Sequence, residues 1–221
     1  MSASYQPTQK EVPVAATDQR FILWIGEKHS GKTTNAAKLV QIVQVDGFKV
    51  AGVLALSLYR DGKLIGFDVL DLRSEIRAPL ARRKMDGGNM SPFLFIDDGL
   101  RLGSAALNRE ATESADLVVV DEFGPLEIAG QGWRSSVDSL VASISATILL
   151  VVRRELVNPV QRVYADSHWL KISVGEPTSL DRVIRILGRR RGLLREAPQH
   201  HRSESHPDSH SRRASRRQRF W

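Results

Sequence analysis

The chain has 221 residues and a formal charge of +7, with 32 Lys and Arg against 25 Asp and Glu. Residues 189–221 carry the whole excess, since they contain ten arginines and three acidic residues, whereas residues 1–188 are electrically balanced. A balanced body argues against a basic nucleic-acid-binding domain, and the absence of cysteine excludes disulfides, thiolate metal sites and a cysteine nucleophile.

The N-terminal part of the chain predicts a leader followed by a buried strand. Residues 1–20 are rich in Ser, Thr, Gln and Pro and lack an apolar period, so we interpret them as a flexible leader. The N-terminus has no signal-peptide pattern and no apolar run reaches 18 residues, which predicts a cytoplasmic protein without a membrane span. Residues 21–25 are wholly apolar, which is typical of a strand buried on both faces, and a helical pattern follows over residues 32–45.

Strands and helices alternate along the rest of the body. Apolar runs over residues 50–58 and 64–72 predict a hairpin, because an Asp61-Gly62 turn joins them. Residues 81–92 contain charges, a Gly-Gly pair and a proline, and we interpret them as a loop. Further strands are predicted over residues 93–96, 117–120, 147–152 and 169–174, and helices over residues 103–115, 133–144, 158–165 and 179–194. This order predicts an α/β fold of three layers, a mostly parallel sheet with helices on both faces and the hairpin as an antiparallel addition.

A phosphate-binding loop is predicted between the first strand and the first helix. The segment Gly26-Glu27-Lys28-His29-Ser30-Gly31-Lys32-Thr33 fits G-x-x-x-x-G-K-[ST] in the required strand-to-helix context. In such a loop, backbone N–H groups and the positive end of the helix dipole bind phosphate oxygens. We expect Lys32 to bridge the terminal phosphates, Thr33 to ligate Mg2+ and Thr34 to contact an inner phosphate.

Two adjacent carboxylates follow the apolar run of residues 117–120. The ends of parallel strands open on the same side of a sheet, so we expect Asp121 to reach the Mg2+ shell, commonly through water. Glu122 is the candidate general base that orients or deprotonates the attacking water. The structural alternative is an Asp-Glu pair that only begins the turn before Gly124 and Pro125.

Two consecutive arginines, Arg153 and Arg154, follow the predicted strand over residues 147–152. We expect Arg153 to neutralise negative charge on the phosphates, which makes it the third candidate catalytic residue beside Lys32 and Glu122. The alternative is a solvated turn or a salt bridge to Glu155.

Taken in order, these segments resemble the small nucleoside-triphosphatases typified by the cancer-related nucleoside-triphosphatase and its microbial relatives. The similar segments include GKTT at residues 31–34, GKLIGFDV at 62–69 and ADLVVVDEFGPLE at 115–127. The resemblance covers residues 21–187, and together with the change in charge after Gly188 it predicts a P-loop NTPase domain over residues 21–188. It implies Mg2+-dependent hydrolysis of the terminal phosphate of ATP, GTP and other nucleoside triphosphates, with Lys32, Thr33, Asp121 and Glu122 in the roles above. The chain departs from the family pattern at His29, where a glycine is expected, and over residues 92–98.

Two other functions share the phosphate loop. A nucleotide-dependent regulator or adaptor with slow hydrolysis would use its nucleotide state to control a partner. A small-molecule kinase would need an acceptor site and a mobile arginine lid, for which the region from Arg77 to Arg83 is the candidate. Residues 189–221 have a composition that cannot form a core, so we expect a disordered tail. Its arginines predict salt-sensitive binding of an anionic partner, nucleic acid or an acidic protein, and a solvated extension is the alternative.

Overall fold

The computed structural model describes residues 19–84 and 92–192. Residues 1–18, 85–91 and 193–221, which include most of the predicted leader and tail, lie outside the described residues. The strands are β1 (Phe21–Gly26), β2 (Val50–Arg60), β3 (Lys63–Asp71), β4 (Arg77–Arg83), β5 (Phe93–Phe95), β6 (Leu117–Asp121), β7 (Thr147–Arg153) and β8 (Trp169–Ser173). The helices are α1 (Lys32–Val45), α2 (Asp97–Ala106), α3 (Arg109–Thr112), α4 (Pro125–Ile128), α5 (Arg134–Ser143), α6 (Val157–Val163) and α7 (Ser179–Arg190).

One mixed sheet runs in the order β5-β4-β3-β2-β6-β7-β1-β8. The five strands from β2 to β8 in this order are parallel to one another, while β3, β4 and β5 extend the sheet in antiparallel fashion. The carboxyl ends of β1, β6 and β7 therefore lie at one edge of the sheet, next to one another. This arrangement confirms the predicted α/β fold and the hairpin, now β2 and β3.

The antiparallel extension is larger than the sequence predicts, because β4 lies partly where a loop is expected. Its sequence, RAPLARR, contains a proline and three arginines rather than an alternating apolar pattern. Pairing with β3 and β5 forms this strand, and Pro79 is tolerated next to a register shift at Phe67 and Asp68. The strand thus depends on neighbours distant in sequence rather than on its own propensity.

The helical region after β5 also differs from its prediction over residues 103–115. Helix α2 begins at Asp97, where two acidic side chains occupy the first turn and interact favourably with the helix dipole. A separate short helix comes next, because Asn108 accepts a hydrogen bond from the N–H of Ala111 at 2.8 Å and starts a new helix. Periodicity alone does not place this break.

The core lies in two layers, one on each face of the parallel strands. β1 and β6 are buried along their whole length, as their continuous apolar runs predict. Leu39 of α1 and Val183 of α7 pack on one face, while Val137 of α5 and Val160 of α6 pack on the other. Burying each such side chain contributes about 1.5–3 kcal/mol. Helices on both faces confirm the three-layer architecture.

Both ends of the described body lie at the edge of the sheet where the parallel strands begin. The N–H of Ile148, at the start of β7, donates to the carbonyl of Arg20 at 2.7 Å. At the other end, Arg191 donates to the carbonyl of Gly47 at 2.9 Å, and its guanidinium lies 4.9 Å from the Phe48 ring centroid. Helix α7 ends at Arg190, two residues past Gly188, where the change in charge predicted the end of the domain.

Within residues 19–84 and 92–192, no helix combines the length and apolar character needed to cross a bilayer.

Candidate active site

The segment between β1 and α1 forms a tight loop that packs against itself. Gly31 has φ 79° and ψ 23°, a left-handed conformation that favours glycine, and it immediately precedes α1. A Cβ on Gly26 would lie 2.3 Å from the Ser30 hydroxyl and 2.9 Å from Cγ of Lys32. His29 also has a positive φ, 62°, in a region that histidine occupies more readily than most residues. The path of the loop backbone therefore requires glycine at Gly26, where a side chain would collide with Ser30 and Lys32, and favours it at Gly31.

The start of α1 has the properties of a phosphate-binding helix terminus. No side chain caps it, so the N–H groups of its first turn are left for another acceptor. Lys32 is buried, and its Nζ donates to the carbonyl of Glu27 at 2.8 Å, which folds the side chain back over the loop. Thr34 and the loop residues Glu27, Lys28, His29 and Ser30 are exposed.

Asp121 lies at the end of β6 and is 1% exposed. One of its oxygens accepts the N–H of Ala55 at 3.2 Å, and the Thr33 side chain lies within hydrogen-bonding reach. Burial raises the pKa of Asp121 to about 7, and the charge of Glu122 adds to the increase, while the Thr33 contact and the Lys32 charge oppose it. The structure therefore brings together the two residues that the sequence predicts as metal ligands.

A carboxylate and a hydroxyl oxygen form a donor set that fits Mg2+, and a cation would relieve the cost of ionising a buried carboxyl group. Among the described residues there is no cluster of three or more His, Asp or Glu that could bind a metal by itself. An ion at Thr33 and Asp121 would take its other ligands from phosphate oxygens and water, as Mg2+ usually does in proteins that bind nucleotides.

Replacing Asp121 by asparagine is expected to stabilise the protein at pH 8 when nucleotide and divalent cations are absent. The folded state holds the Asp121 proton up to about pH 7, whereas the unfolded chain releases it at its ordinary pKa of 3.8. The wild-type protein therefore loses stability as the pH rises from about 4 to 7. The gain from the substitution should grow between pH 4 and pH 7 and reach a few kcal/mol, since one pKa unit corresponds to about 1.4 kcal/mol. Thermal unfolding in EDTA at several pH values measures this gain in stability. Identical pH profiles for the wild type and the variant would contradict a raised pKa for Asp121.

The arginines at the end of β7 pair with acidic residues on both sides. Nη2 of Arg153 lies 2.8 Å from Oε1 of Glu122, which follows β6, and Nε of Arg154 lies 2.5 Å from Oε1 of Glu27 in the loop after β1. β7 lies between these two strands, so consecutive residues reach opposite neighbours. The ion-pair partners of the two arginines are thus Glu122 and Glu27, and not Glu155, the neighbouring acid that the sequence offered as an alternative.

Glu127 is a buried carboxylate that forms hydrogen bonds with the backbone at this edge. It is 6% exposed, accepts the N–H of Gly124 at 2.9 Å and receives a weaker hydrogen bond, at 3.3 Å, from the N–H of Trp133. Burial raises its pKa, and the charge of Glu122 adds to this effect. Glu127 thus makes one half of a capping box, since its side chain accepts the N–H of the N-cap residue Gly124, and this bond stabilises the turn after Glu122.

Comparison with known proteins agrees with this geometry. A family model described as NTPase matches residues 22–184. A nucleoside-triphosphatase THEP1 of Methanothermobacter thermautotrophicus is 29% identical over 169 residues, which cover 75% of this chain and 93% of that protein. The fold is similar to a human cancer-related nucleoside triphosphatase, with a TM-score of 0.62 and 19% identity over 80% of this chain and 100% of the other. It is also similar to THEP1 of Aquifex aeolicus, with a TM-score of 0.57 and 16% identity over 75% and 98% of the two chains.

Proposed function

Because the chain belongs to the NTPase family, we propose that it is a Mg2+-dependent nucleoside-triphosphatase that hydrolyses the terminal phosphate of ATP, GTP and other nucleoside triphosphates. The observation that carries the proposal is the convergence of Lys32, Asp121 and Glu122 at the edge where the loop after β1 meets the end of β6. Phosphoryl transfer depends mainly on positioning and on electrostatic stabilisation, and these residues supply both.

Each residue of the site has a separate role in this proposal. The loop from Gly26 to Thr34 binds the phosphates through its backbone N–H groups, and Lys32 neutralises the terminal phosphates. Thr33 and Asp121 would hold Mg2+, which when bound neutralises phosphate charge and orients the terminal phosphate. Glu122 is partly exposed and not buried like Asp121, so a water molecule can approach it.

Arg153 is proposed to stabilise the charge that the terminal phosphate develops as the bond breaks. Its guanidinium pairs with Glu122, the candidate base, so it already lies beside the reacting groups. An arginine forms several hydrogen bonds at once, which allows a contact with phosphate in addition to the carboxylate.

The pairing of Arg77 and Arg82 favours hydrolysis over transfer to a small-molecule acceptor. Both arginines pair with Asp68 at 2.8 Å, so two of the three arginines in this segment already have a partner on the sheet surface. A regulatory role with slow hydrolysis would use the same site and differs only in the response of a partner to the nucleotide state.

The proposal is tested by measuring phosphate release from ATP, GTP, CTP and UTP, with Mg2+ and with EDTA. We expect release that requires Mg2+ and differs only modestly among the bases. Failure to release phosphate from any of the four would contradict hydrolysis, and phosphate transferred to an added nucleoside would indicate a kinase.

We further propose that the NTPase domain extends to residue 192 and that the remaining arginine-rich tail binds an anionic partner, nucleic acid or an acidic protein, in the cytoplasm. Arg191 contacts Gly47 and Phe48, so the boundary lies after this contact. Truncation after Gly192 is expected to leave hydrolysis unchanged and to reduce retention on immobilised nucleic acid at low salt. Equal retention of both proteins would exclude nucleic acid as the partner of the tail.

A further inference from the structure

An acidic side chain, Glu27, lies in the loop that is proposed to bind phosphate. A carboxylate there repels a polyanion, and the effect is appreciable because charges near a protein surface interact more strongly than in bulk water. Yet Glu27 is also the residue whose carbonyl accepts the hydrogen bond from Lys32 at 2.8 Å. One residue therefore contacts the principal phosphate-binding lysine and carries a charge that opposes phosphate.

Arg154 supplies the opposite charge. In the sheet, Gly26 is in register with Arg153, so Arg154 and Glu27 are the next residues along two adjacent parallel strands. The side chains meet at 2.5 Å through Nε of the arginine. This contact uses one of the five N–H donors of a guanidinium, and it places a positive charge against the Glu27 carboxylate beside the loop.

The ion pair between Glu27 and Arg154 contributes little to the stability of the fold. The side chains are 58% and 63% exposed, and exposed ion pairs contribute about 0–1 kcal/mol. Their location gives a stronger reason for the pair, because Glu27 belongs to the loop that is proposed to bind the triphosphate, and charges closer than a Debye length are only partly screened by salt.

We propose that Arg154 is a positioning residue that neutralises Glu27 and thereby sets the affinity of the loop for nucleoside triphosphates. It acts through Glu27 and not through the reacting atoms, which distinguishes it from Arg153, whose partner is Glu122. The effect is larger for triphosphates than for diphosphates, because the repulsion from an unpaired carboxylate increases with the charge of the ligand. This inference rests on the proposed function only in requiring that the loop binds nucleotide.

The test compares four proteins: wild type, Arg154→Ala, Glu27→Gln and the double variant. Binding of fluorescent ATP and ADP analogues is measured with Mg2+ at low salt, so hydrolysis is not needed for the result. We expect Arg154→Ala to weaken ATP binding about tenfold and ADP binding less. The double variant should bind ATP within about twofold of wild type, because the pair carries no net charge in either protein, and Glu27→Gln alone should bind ATP more tightly than wild type. Arg185→Ala removes an exposed arginine from α7 and is the matched control, expected to bind like wild type.

Two further measurements separate this role from a structural one. The weakening caused by Arg154→Ala should become smaller at 0.5 M salt, where the Debye length is only a few ångströms. In hydrolysis, KM should rise while kcat stays close to that of wild type.

Several outcomes would overturn the inference. A double variant that binds ATP as weakly as Arg154→Ala would mean that the arginine binds phosphate directly, and wild-type affinity in the Arg154→Ala protein would leave only a surface ion pair. A wild-type protein that binds ATP without hydrolysing it would contradict the proposed function while leaving this comparison valid. A wild-type protein that binds neither analogue would overturn both.

Discussion

Replacing Glu122 by glutamine is expected to lower kcat by about 10²–10⁴, the usual contribution of general acid-base catalysis. Glutamine keeps the size of the side chain and an oxygen that can accept from Arg153, whose Nη2 lies 2.8 Å from Oε1 of Glu122. It cannot take a proton from water. The affinity for nucleotide should therefore stay within a few-fold of wild type while hydrolysis is lost.

The measurement is phosphate release under saturating ATP, with binding of a fluorescent analogue measured in parallel. Glu113→Gln is the matched control, because Glu113 is exposed and lies after α3, away from the site. Unchanged kcat in the Glu122→Gln protein would mean that another group orients the water. A loss of both kcat and binding would instead indicate that Glu122 acts on the phosphate site as a whole.

Replacing Lys32 by alanine is expected to reduce kcat/KM by about 10²–10³, the effect of removing one preorganised group that stabilises developing charge. The Lys32 side chain is buried and its ammonium group lies over the loop at 2.8 Å from the carbonyl of Glu27, so its charge is held at the proposed phosphate site. Unlike the glutamine substitution at Glu122, this change should weaken nucleotide binding as well as turnover.

Lys38→Ala is the control for this experiment, since Lys38 is an exposed lysine on the same helix. Both variants should unfold close to the wild-type temperature, which shows that the loss belongs to the site. If Lys32→Ala kept wild-type binding and turnover, the loop would not be the phosphate site.

The geometry of the candidate site was predictable from the sequence where its residues are contiguous. The segment from Gly26 to Thr33 connects a strand to a helix, as its glycine spacing and its flanking residues predict. Asp121 and Glu122 were predictable from a buried apolar run, because parallel strands of one sheet must end at the same edge. The hairpin was also predictable, because its signal, the Asp61-Gly62 turn between two apolar runs, is local.

Features that depend on distant partners were not predictable in this way. Glu27 and Arg154 are 127 residues apart in sequence, and nothing around either one identifies the other. β4 is a strand because β3 and β5 flank it, although its own residues favour a loop. Local patterns describe how a segment behaves alone, whereas these features arise when the sheet order brings segments together.

The two ends of the described body have a consequence for attaching this protein to other molecules. Arg20 and Arg191 both contact the edge where the parallel strands begin, whereas the loop proposed to bind phosphate lies at the opposite edge. A fusion partner joined directly before residue 19 or after residue 192 would therefore be connected at the edge remote from that loop. A protein immobilised through such a junction would present the proposed nucleotide site to the solution.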